Sequence, residues 1–155
     1  MKKALFAGSF DPPTLGHTEV INRGLTLFDE ILVGIGVNSK KEGMFSPEDR
    51  LAMMNAVYQQ EPRVKVEIYT GLTVEFAANQ QIPFLVRGLR NGADLEYEKP
   101  IALINKRMSS ELETVFILTT GETSILSSTL IREVIRYRGD LKGLVPQAVI
   151  PLIYK

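Results

Sequence analysis

Residues 3–17 read KALFAGSFDPPTLGH, and the change of pattern within this stretch decides the fold. Lys3–Ala7 is a short apolar run typical of a buried strand, and it ends at Gly8. A loop of small residues and prolines follows, and from His17 to Phe28 the apolar residues recur at helical spacing. The stretch therefore predicts a strand, a loop and a helix in direct succession.

The same alternation repeats along the rest of the chain. Further strands are predicted at Glu30–Val37, Val64–Tyr69, Pro83–Val86 and Glu113–Leu118. Further helices are predicted from the Ser46-Pro47 N-cap onward and at Thr73–Gln80, Asp94–Met108, Ser128–Tyr137 and Pro146–Tyr154. The period-two pattern of Val64–Tyr69 places that strand nearer the edge of the sheet. Pro100 is expected to kink its helix or delay its start, and Gly139 to terminate the helix that precedes it.

Strands and helices that alternate five times favour an α/β fold, a doubly wound five-stranded parallel sheet with helices on both faces. We expect one Rossmann-like domain over residues 1–155. Cysteine is absent, which excludes disulfides, thiolate nucleophiles and cysteine-ligated metals. The 18 basic and 18 acidic residues cancel, which argues against a nucleic-acid partner. The longest apolar run, Ile31–Val37, has seven residues, so we expect a soluble cytoplasmic protein without a membrane partner.

The ends of the predicted strands carry the chemistry of the chain, because ligands in such sheets bind outside the carboxyl ends of the strands. After the first strand, Ser9, Thr14 and His17 surround a helix N-terminus, whose free amides attract phosphate. The same helix end disfavours an imidazolium, which favours a neutral His17 that donates one N–H. The alternative is an ordinary surface histidine, and the place of His17 behind the loop favours the first interpretation.

Three further strand ends offer groups that bind phosphate. Lys40 and Lys41 follow the second strand, where they would either neutralise an anion or simply be solvated. Arg87 and Arg90 follow the fourth, and guanidinium groups suit forked contacts with phosphate oxygens. Ser127–Thr129 opens the helix after the fifth strand, as a phosphate cradle, as an N-cap, or as both. Together these groups predict a nucleotide-like ligand and a second anion.

Several common motifs are missing from the sequence. It contains no Gly-x4-Gly-Lys-Ser/Thr stretch, which argues against a P-loop NTPase. Gly34-x-Gly36-x-x-Ser39 lacks the third glycine of the dinucleotide fingerprint, and we interpret it as a strand that tolerates glycine. One histidine and no cysteine leave little room for a catalytic triad or a histidine-rich metal site.

Four segments in order resemble those of a known superfamily, over residues 3 to about 145. Residues 8–17 are similar to the first signature of the nucleotidyltransferase superfamily with a T/H-x-G-H motif, and Leu126–Arg132 is similar to its second. Phe84–Arg90 and Asp94–Glu98 narrow the resemblance to the bacterial phosphopantetheine adenylyltransferase family. A single T-x-G-H motif is weak evidence, whereas four correctly spaced motifs are specific.

This resemblance implies an enzyme of coenzyme A biosynthesis. It would transfer an adenylyl group from ATP to 4'-phosphopantetheine, giving 3'-dephospho-coenzyme A and pyrophosphate. The family also implies Mg²⁺ with ATP, a homohexamer and feedback inhibition by coenzyme A. Because no convincing acidic cluster is present, the magnesium is expected to be held mainly by the triphosphate.

The resemblance also implies roles for individual residues. The expected ATP contacts are Ser9, Phe10, His17, Gly88, Leu89, Arg90, Glu98, Thr123, Ser124, Ile125, Leu126, Ser127, Ser128 and Thr129. The expected phosphopantetheine contacts are Ser9, Lys41, Thr73 and Arg87, with Leu72, Asn105 and Glu133 as neighbours. His17 is the expected transition-state stabiliser, and Ser9, Lys41 and Arg90 complete the catalytic set. Thr123 stands where many family members carry an aromatic residue.

The residues alone leave other functions open. No side chain is an evident covalent nucleophile, so the acceptor phosphate is expected to attack the α-phosphorus of ATP directly. The same chemistry suits other acceptors, such as nicotinate mononucleotide, or a cytidylyl transfer to a small alcohol phosphate. A nucleotide sensor without turnover is the alternative from a different class. The resemblance carried by residues 87–90 and 94–98 favours phosphopantetheine as the acceptor, and His17 together with both phosphate cradles favours catalysis.

Overall fold

The computed structural model describes residues 1–154 and contains a single sheet within them. Its strands are β1 (Lys3–Gly8), β2 (Glu30–Val37), β3 (Val64–Thr70), β4 (Phe84–Leu89) and β5 (Glu113–Leu118). The helices are α1 (Leu15–Gly24), α2 (Pro47–Val57), α3 (Thr73–Asn79), α4 (Gly92–Met108), α5 (Ser128–Arg136) and α6 (Ile150–Ile153). Two 3₁₀ turns occupy Gly121–Ile125 and Gln147–Val149. All neighbouring strands are parallel, in the order β3-β2-β1-β4-β5, which confirms the predicted doubly wound sheet and the edge position of β3.

Hydrophobic cores lie on both faces of the sheet, because successive side chains of a strand point to opposite sides. On one face, Ala4 and Phe6 pack in a cluster that includes Val20 and Ile21 of α1. On the other face, Leu5 and Ala7 pack in a cluster with residues of α3. A third cluster joins α2 to α5 and the C-terminal segment. The helices therefore cover both faces, and the carboxyl ends of the strands stay open for the loops.

The strand order reverses between β1 and β4, and the two strands separate there. Their pairing covers only three positions and ends at Phe6 and Val86. β4 continues for three further residues along β5, and the Arg87 guanidinium donates across the gap to the carbonyl of Ala7. A gap at such a switch point is where open parallel sheets bind their ligands.

Several predicted boundaries are wrong, each for a local physical reason. The predicted helix 17–28 begins earlier, at Leu15, because Thr14 caps it. It ends at Gly24, where any Cβ would lie 2.7 Å from Ile31 Cδ1, and the chain turns there. The fourth strand is predicted to end at Val86, but residues 87–89 pair with β5 and belong to β4.

The remaining corrections concern prolines and a glycine. Pro100 does not delay the start of α4, which begins at Gly92 on an Asn91 cap and continues to Met108. The carbonyl that Pro100 cannot bond belongs to an exposed residue, and a kink at Pro100 stays a prediction. Gly139 is not the left-handed residue after α5, since Arg138 adopts a φ of 52° instead. The predicted helix 146–154 is a 3₁₀ turn followed by α6, whose first turn contains Pro151. Within residues 1–154, no helix combines the length and apolarity needed to cross a bilayer.

Candidate active site

A cleft of about 420 Å³ opens where β1 and β4 separate. Its walls come from the β1–α1 loop, the end of β4, the start of α4, the segment after β5 and the start of α5. Two adjoining cavities of about 480 and 520 Å³ also reach Ser9, so this residue borders all three spaces. Arg87 lines the central cleft, the 480 Å³ cavity and a small space of about 140 Å³ beside α4.

A capping box fixes the His17 ring at the start of α1. The Thr14 side chain accepts a hydrogen bond from the His17 amide at 3.3 Å, and His17 Nδ1 accepts one from the Thr14 amide at 3.0 Å. Because Nδ1 is an acceptor, the proton of a neutral imidazole is on Nε2, which leaves that nitrogen as a donor. Burial, assisted by the positive charges of Arg87 and Arg90, lowers the pKa of His17 to about 4. The ring is therefore neutral at neutral pH.

The ring of Phe10 packs against the imidazole of His17. Its ring lies edge-on to His17 at 4.9 Å and to Phe6 at 5.2 Å, and it is only 1% exposed. Its backbone adopts a φ of 49°, in the left-handed region that non-glycine residues seldom occupy. The burial of the ring holds this conformation in place, so the β1–α1 loop has little freedom beneath His17.

Two arginines hold the β1–α1 loop from outside, and a carboxylate of the loop itself binds a neighbouring loop. Arg50 of α2 donates to the carbonyl of Ser9 at 2.7 Å, and Arg132 of α5 donates to the carbonyl of Asp11 at 2.8 Å. The buried Asp11 carboxylate accepts the amides of residues 44 and 45 at 2.8 and 2.9 Å. These contacts join the β1–α1 loop to the loop that contains Lys41.

Both arginines of the β4 segment are paired with carboxylates of α4. Arg87 makes a forked ion pair with Glu98, at 2.9 and 2.5 Å, and Glu98 is 8% exposed. Arg90 pairs with Asp94 at 3.1 and 3.2 Å. Burial alone would raise the pKa of Asp94, but the hydrogen bonds and charge of Arg90 outweigh it and hold this pKa below its usual value. The four side chains form two adjacent ion pairs along one wall of the cleft.

The start of α5 forms another wall of the cleft, next to Arg90, which donates to the Leu126 carbonyl at 3.5 Å. Ser127 is its N-cap, accepting the Leu130 amide at 3.2 Å, which confirms the capping interpretation. The Ser128 hydroxyl donates to the Pro12 carbonyl at 3.4 Å, and Arg132 donates to the Thr129 hydroxyl at 3.1 Å. The first amides of a helix have no partner within it, so this wall presents free N–H groups and hydroxyls to the cleft.

The structure brings most of the predicted nucleotide contacts together. The cleft is lined by Ser9, Phe10, His17, Gly88, Arg90, Glu98, Thr123, Leu126, Ser127, Ser128 and Thr129. Three of the predicted residues do not line it: Leu89 is buried in the sheet, Ile125 is 71% exposed, and the Ser124 hydroxyl bonds to the Gly121 carbonyl.

The predicted acceptor contacts are spread over different cavities. Arg87 lines the central cleft, Thr73 lines the 480 and 140 Å³ spaces, and Lys41 lines the 520 Å³ cavity. Lys41 and Arg87 therefore line different cavities, and their expected contacts with the acceptor stay a prediction. Of the predicted neighbours, Asn105 lies near Thr73, whereas Leu72 and Glu133 are exposed.

Some residues of the site escaped the sequence analysis as individual candidates. Arg132 lines both the central cleft and the 520 Å³ cavity. Its spacing of four from Ser128 puts both on one face of a helix, and this signal could have found it. Arg50 and Asp11 reach partners more than thirty residues away in the chain, and no local pattern announces such contacts.

No group of three or more histidine, aspartate or glutamate side chains within residues 1–154 is placed to hold a metal ion. The acidic side chains in the cleft wall are Asp94 and Glu98, and both already bind arginines.

Comparisons with known proteins agree with this geometry. The profile of the cytidylyltransferase-like family matches residues 5–134. A phosphopantetheine adenylyltransferase of Flavobacterium johnsoniae is 50% identical over 149 residues, which cover 96% of this chain and 97% of the relative. One from Lachnoclostridium phytofermentans is 43% identical over 154 residues, covering 99% and 94%.

A solved structure from Vibrio parahaemolyticus, described as a candidate nicotinate-nucleotide adenylyltransferase, matches with a TM-score of 0.74. It covers 99% of both chains at 20% identity, and at that identity the likeness shows the fold alone. The sequence relatives are much closer and span nearly their whole lengths. The chain therefore belongs to the phosphopantetheine adenylyltransferase family, among the cytidylyltransferase-like nucleotidyltransferases.

Proposed function

We propose that this enzyme transfers the adenylyl group of ATP to 4'-phosphopantetheine, with 3'-dephospho-coenzyme A and pyrophosphate as products. The observation that carries the proposal is the neutral His17, whose Nδ1 accepts the Thr14 amide and whose Nε2–H is free to donate. This donor lines a cleft together with two arginines and a helix N-terminus. Such a set suits phosphoryl chemistry, in which positioning and electrostatic stabilisation do most of the work.

In the proposed reaction an oxygen of the acceptor phosphate bonds to the α-phosphorus of ATP. The bond from this phosphorus to the oxygen that bridges to the β-phosphate breaks, and its electron pair leaves with pyrophosphate. His17 Nε2–H and the Ser9 hydroxyl donate to the α-phosphoryl oxygens as their charge grows. In the nucleotide-free protein the pKa of His17 is about 4, so the ring is neutral and offers its Nε2–H as a hydrogen-bond donor.

The two walls of the cleft hold the other phosphates. Arg90, Arg132 and the amides of Ser127–Thr129 bind the β- and γ-phosphates, since all of them line the cleft around the start of α5. Mg²⁺ would be held mainly by the triphosphate and water, as is common for magnesium at phosphate sites, and would neutralise part of the phosphate charge.

The acceptor approaches from the other side. Arg87 lines three of the spaces, and Thr73 lines two of them, so the pantetheine arm follows the surface from Arg87 past Thr73. The side chain of Lys41 is long and exposed, and it lines the 520 Å³ cavity on the far side of Ser9. It reaches the acceptor phosphate across Ser9 once that phosphate is bound.

Family resemblance supports three further proposals. The enzyme assembles as a homohexamer, is inhibited by coenzyme A, and acts in the cytoplasm. Gel filtration with light scattering, inhibition by added coenzyme A and localisation of the tagged protein test these proposals in turn.

Pyrophosphate release from MgATP tests the function directly. We expect release with 4'-phosphopantetheine and none with nicotinate mononucleotide or without an acceptor. Release with nicotinate mononucleotide alone would retain the adenylyl transfer and reject the acceptor. Binding of ATP without release from any acceptor would indicate a nucleotide sensor instead.

Two variants test the residue roles. His17→Ala is expected to lower kcat by a factor on the order of 10²–10³, as the loss of a transition-state donor does, with little change in ATP affinity. Weaker ATP binding with an intact kcat would reassign His17 to substrate binding. Lys41→Ala is expected to raise the KM of the acceptor, and an unchanged acceptor KM would reject that role.

A further inference from the structure

The carboxylate of Glu19 joins helix α1 to the segment that follows β5. Its Oε1 accepts the Thr120 amide at 3.0 Å and the Thr120 hydroxyl at 2.8 Å, and its Oε2 accepts the Thr123 hydroxyl. We call residues 119–126 the nucleotide loop, because Thr119, Thr123 and Leu126 line the central cleft. The single proton of the Thr123 hydroxyl is shared between Glu19 and the Thr120 carbonyl, which lies 2.7 Å away. Together with the two bonds from Thr120, this contact ties the loop to Glu19 at its middle.

The helix that carries Glu19 also carries His17. Two other residues of α1 make contacts nearby: Gly16 comes close to the Thr123 carbonyl in this segment, and Arg23 donates to the carbonyl of Leu118 at the end of β5. An added Cβ at Gly16 would lie 3.5 Å from that carbonyl oxygen. One rigid helix thus holds both the proposed transition-state donor and the nucleotide loop.

The nucleotide loop has few other ties to the rest of the fold. Its first residue, Thr119, donates its amide to the Leu89 carbonyl at 2.8 Å. The Ser124 hydroxyl bonds within the loop, to the Gly121 carbonyl, and the Leu126 amide bonds to the Thr123 carbonyl. Between the anchored start of this loop and the start of α5, two side chains outside the loop make hydrogen bonds to it: Glu19 near its middle, and Arg90, which donates to the Leu126 carbonyl at 3.5 Å.

We propose that Glu19 is a positioning residue for ATP: it holds the nucleotide loop in the shape that binds the nucleotide, without touching the nucleotide itself. This inference rests on the proposed function, because ATP is the ligand that the loop is proposed to contact. Binding then requires no ordering of the loop, which would otherwise subtract from the affinity. The start of α5 follows the loop directly, so the same contacts also place the phosphate-binding amides opposite His17.

A carboxylate suits this task better than an amide. Two N–H or O–H donors of Thr120 and the hydroxyl of Thr123 all point at Glu19, and an ionised carboxylate offers only acceptors. A glutamine has the same size but offers only one acceptor oxygen. Its NH₂ group would face a donor of Thr120 or Thr123, unless a threonine hydroxyl rotates to accept from it. Hydrogen bonds to a charged acceptor are also stronger than those to a neutral one.

The test compares Glu19→Gln with Glu30→Gln, a control of the same chemistry at the opposite end of the sheet, where Glu30 pairs with Lys3 at 3.0 Å. We expect Glu19→Gln to raise both the ATP KM and the calorimetric Kd of MgATP about tenfold, the range for losing a charge-assisted contact. The acceptor KM is expected to stay within about twofold of the parent value. Glu30→Gln is expected to change neither constant.

A role in stability alone would appear differently. In that case Glu19→Gln would lower the melting temperature and leave the Kd of MgATP at 25 °C unchanged, and this result would overturn the proposal. Glu19→Asp keeps the charge on a shorter side chain, and we expect it to recover part of the lost affinity. Equal affinities for the Asp and Gln variants would contradict the role of the charge.

Thr120→Val removes only the hydroxyl bond to Glu19 and keeps the backbone amide, so it decides the question if Glu19→Gln does not fold. We expect a rise of about two- to threefold in the Kd of MgATP, because one of three bonds is lost. An unchanged Kd in this variant would overturn the proposal. If the parent protein binds MgATP in a Glu19-dependent way but releases no pyrophosphate with any acceptor, the proposed function fails and the role of Glu19 stands.

Discussion

Lowering the pH should reduce the free energy of unfolding of this protein, in part through protonation of His17. Replacing His17 by glutamine should remove that part of the pH dependence. The folded protein keeps the imidazole neutral down to about pH 4, whereas a free histidine takes a proton near pH 6.5. Between these values the unfolded chain binds more protons than the folded chain. The free energy of unfolding therefore falls as the pH falls through this window.

The size of the effect follows from the two pKa values. The full shift corresponds to about 3 kcal/mol of stability, of which about 2 kcal/mol is lost between pH 7 and pH 5. His17→Gln is the matched variant, because threonine at the N-cap with glutamine three residues later is itself a capping box. It keeps the start of α1 and removes the titrating group.

Urea unfolding at a series of pH values measures this difference. The buffers should contain neither phosphate nor nucleotide, because an anion beside Arg87 and Arg90 would offset the charges that help to depress the pKa. Carboxylates titrate in both proteins, so the difference between the parent and His17→Gln isolates the imidazole. The chain contains one histidine, and its ring signal in NMR reports the same pKa directly.

A stability difference between the two proteins that stays constant from pH 7 to pH 5 would refute this reasoning. So would a ring that titrates near pH 6.5 in the folded protein. Either result would mean that water or a rearranged loop solvates the imidazole. His17 would then carry a charge over part of the working pH range, and its assignment as a neutral donor would fail.

Three further predictions follow from the packing and the cleft. Gly88→Ala should lower the free energy of unfolding by about 1–3 kcal/mol in urea, because its Cβ would lie 2.6 Å from a methyl group of the buried Val20. Gly92→Ala is the control, since no atom lies within 4 Å of its added Cβ, and it should not destabilise the protein. Equal effects of the two substitutions would contradict this reasoning. Asp11→Ala leaves the amides of two half-buried residues without their acceptor and should cost about 1–3 kcal/mol in urea unfolding. It should also raise the acceptor KM through Lys41, and an unchanged acceptor KM would count against the loop connection. Excess EDTA should abolish turnover of MgATP and leave the melting temperature of the nucleotide-free protein unchanged; a lower melting temperature would reveal a metal site in the protein itself.

Features with a local cause could be predicted from the sequence. The Ser46 cap of α2, the limits of β2 and the exposed alternation of β3 all depend on residues within a few positions of one another. The relation of Thr14 to His17 is also local, and the spacing of three places both in one capping box.

Features with a distant cause could not be predicted. β4 extends to Leu89 because Arg87, Gly88 and Leu89 find partners on β5, and a run that ends in Arg-Gly gives no sign of this. The placement of Lys41 beyond Ser9, in a cavity that Arg87 does not line, depends on how three loops pack together. The sequence predicted which residue types gather at the sheet edge, and packing decided which of them share a cavity.

Because two arginines of the cleft are paired with carboxylates of α4, their positive charges are already neutralised by the protein itself. Asp94 and Glu98 already neutralise Arg90 and Arg87 in the nucleotide-free protein, so an approaching anion meets less net positive charge than two bare guanidinium groups would present. Long-range attraction of substrates, and with it the dependence of the association rate on ionic strength, should therefore be weak. Selectivity then depends on short-range contacts: inorganic phosphate, with one charged group, cannot bridge both walls, whereas a triphosphate can.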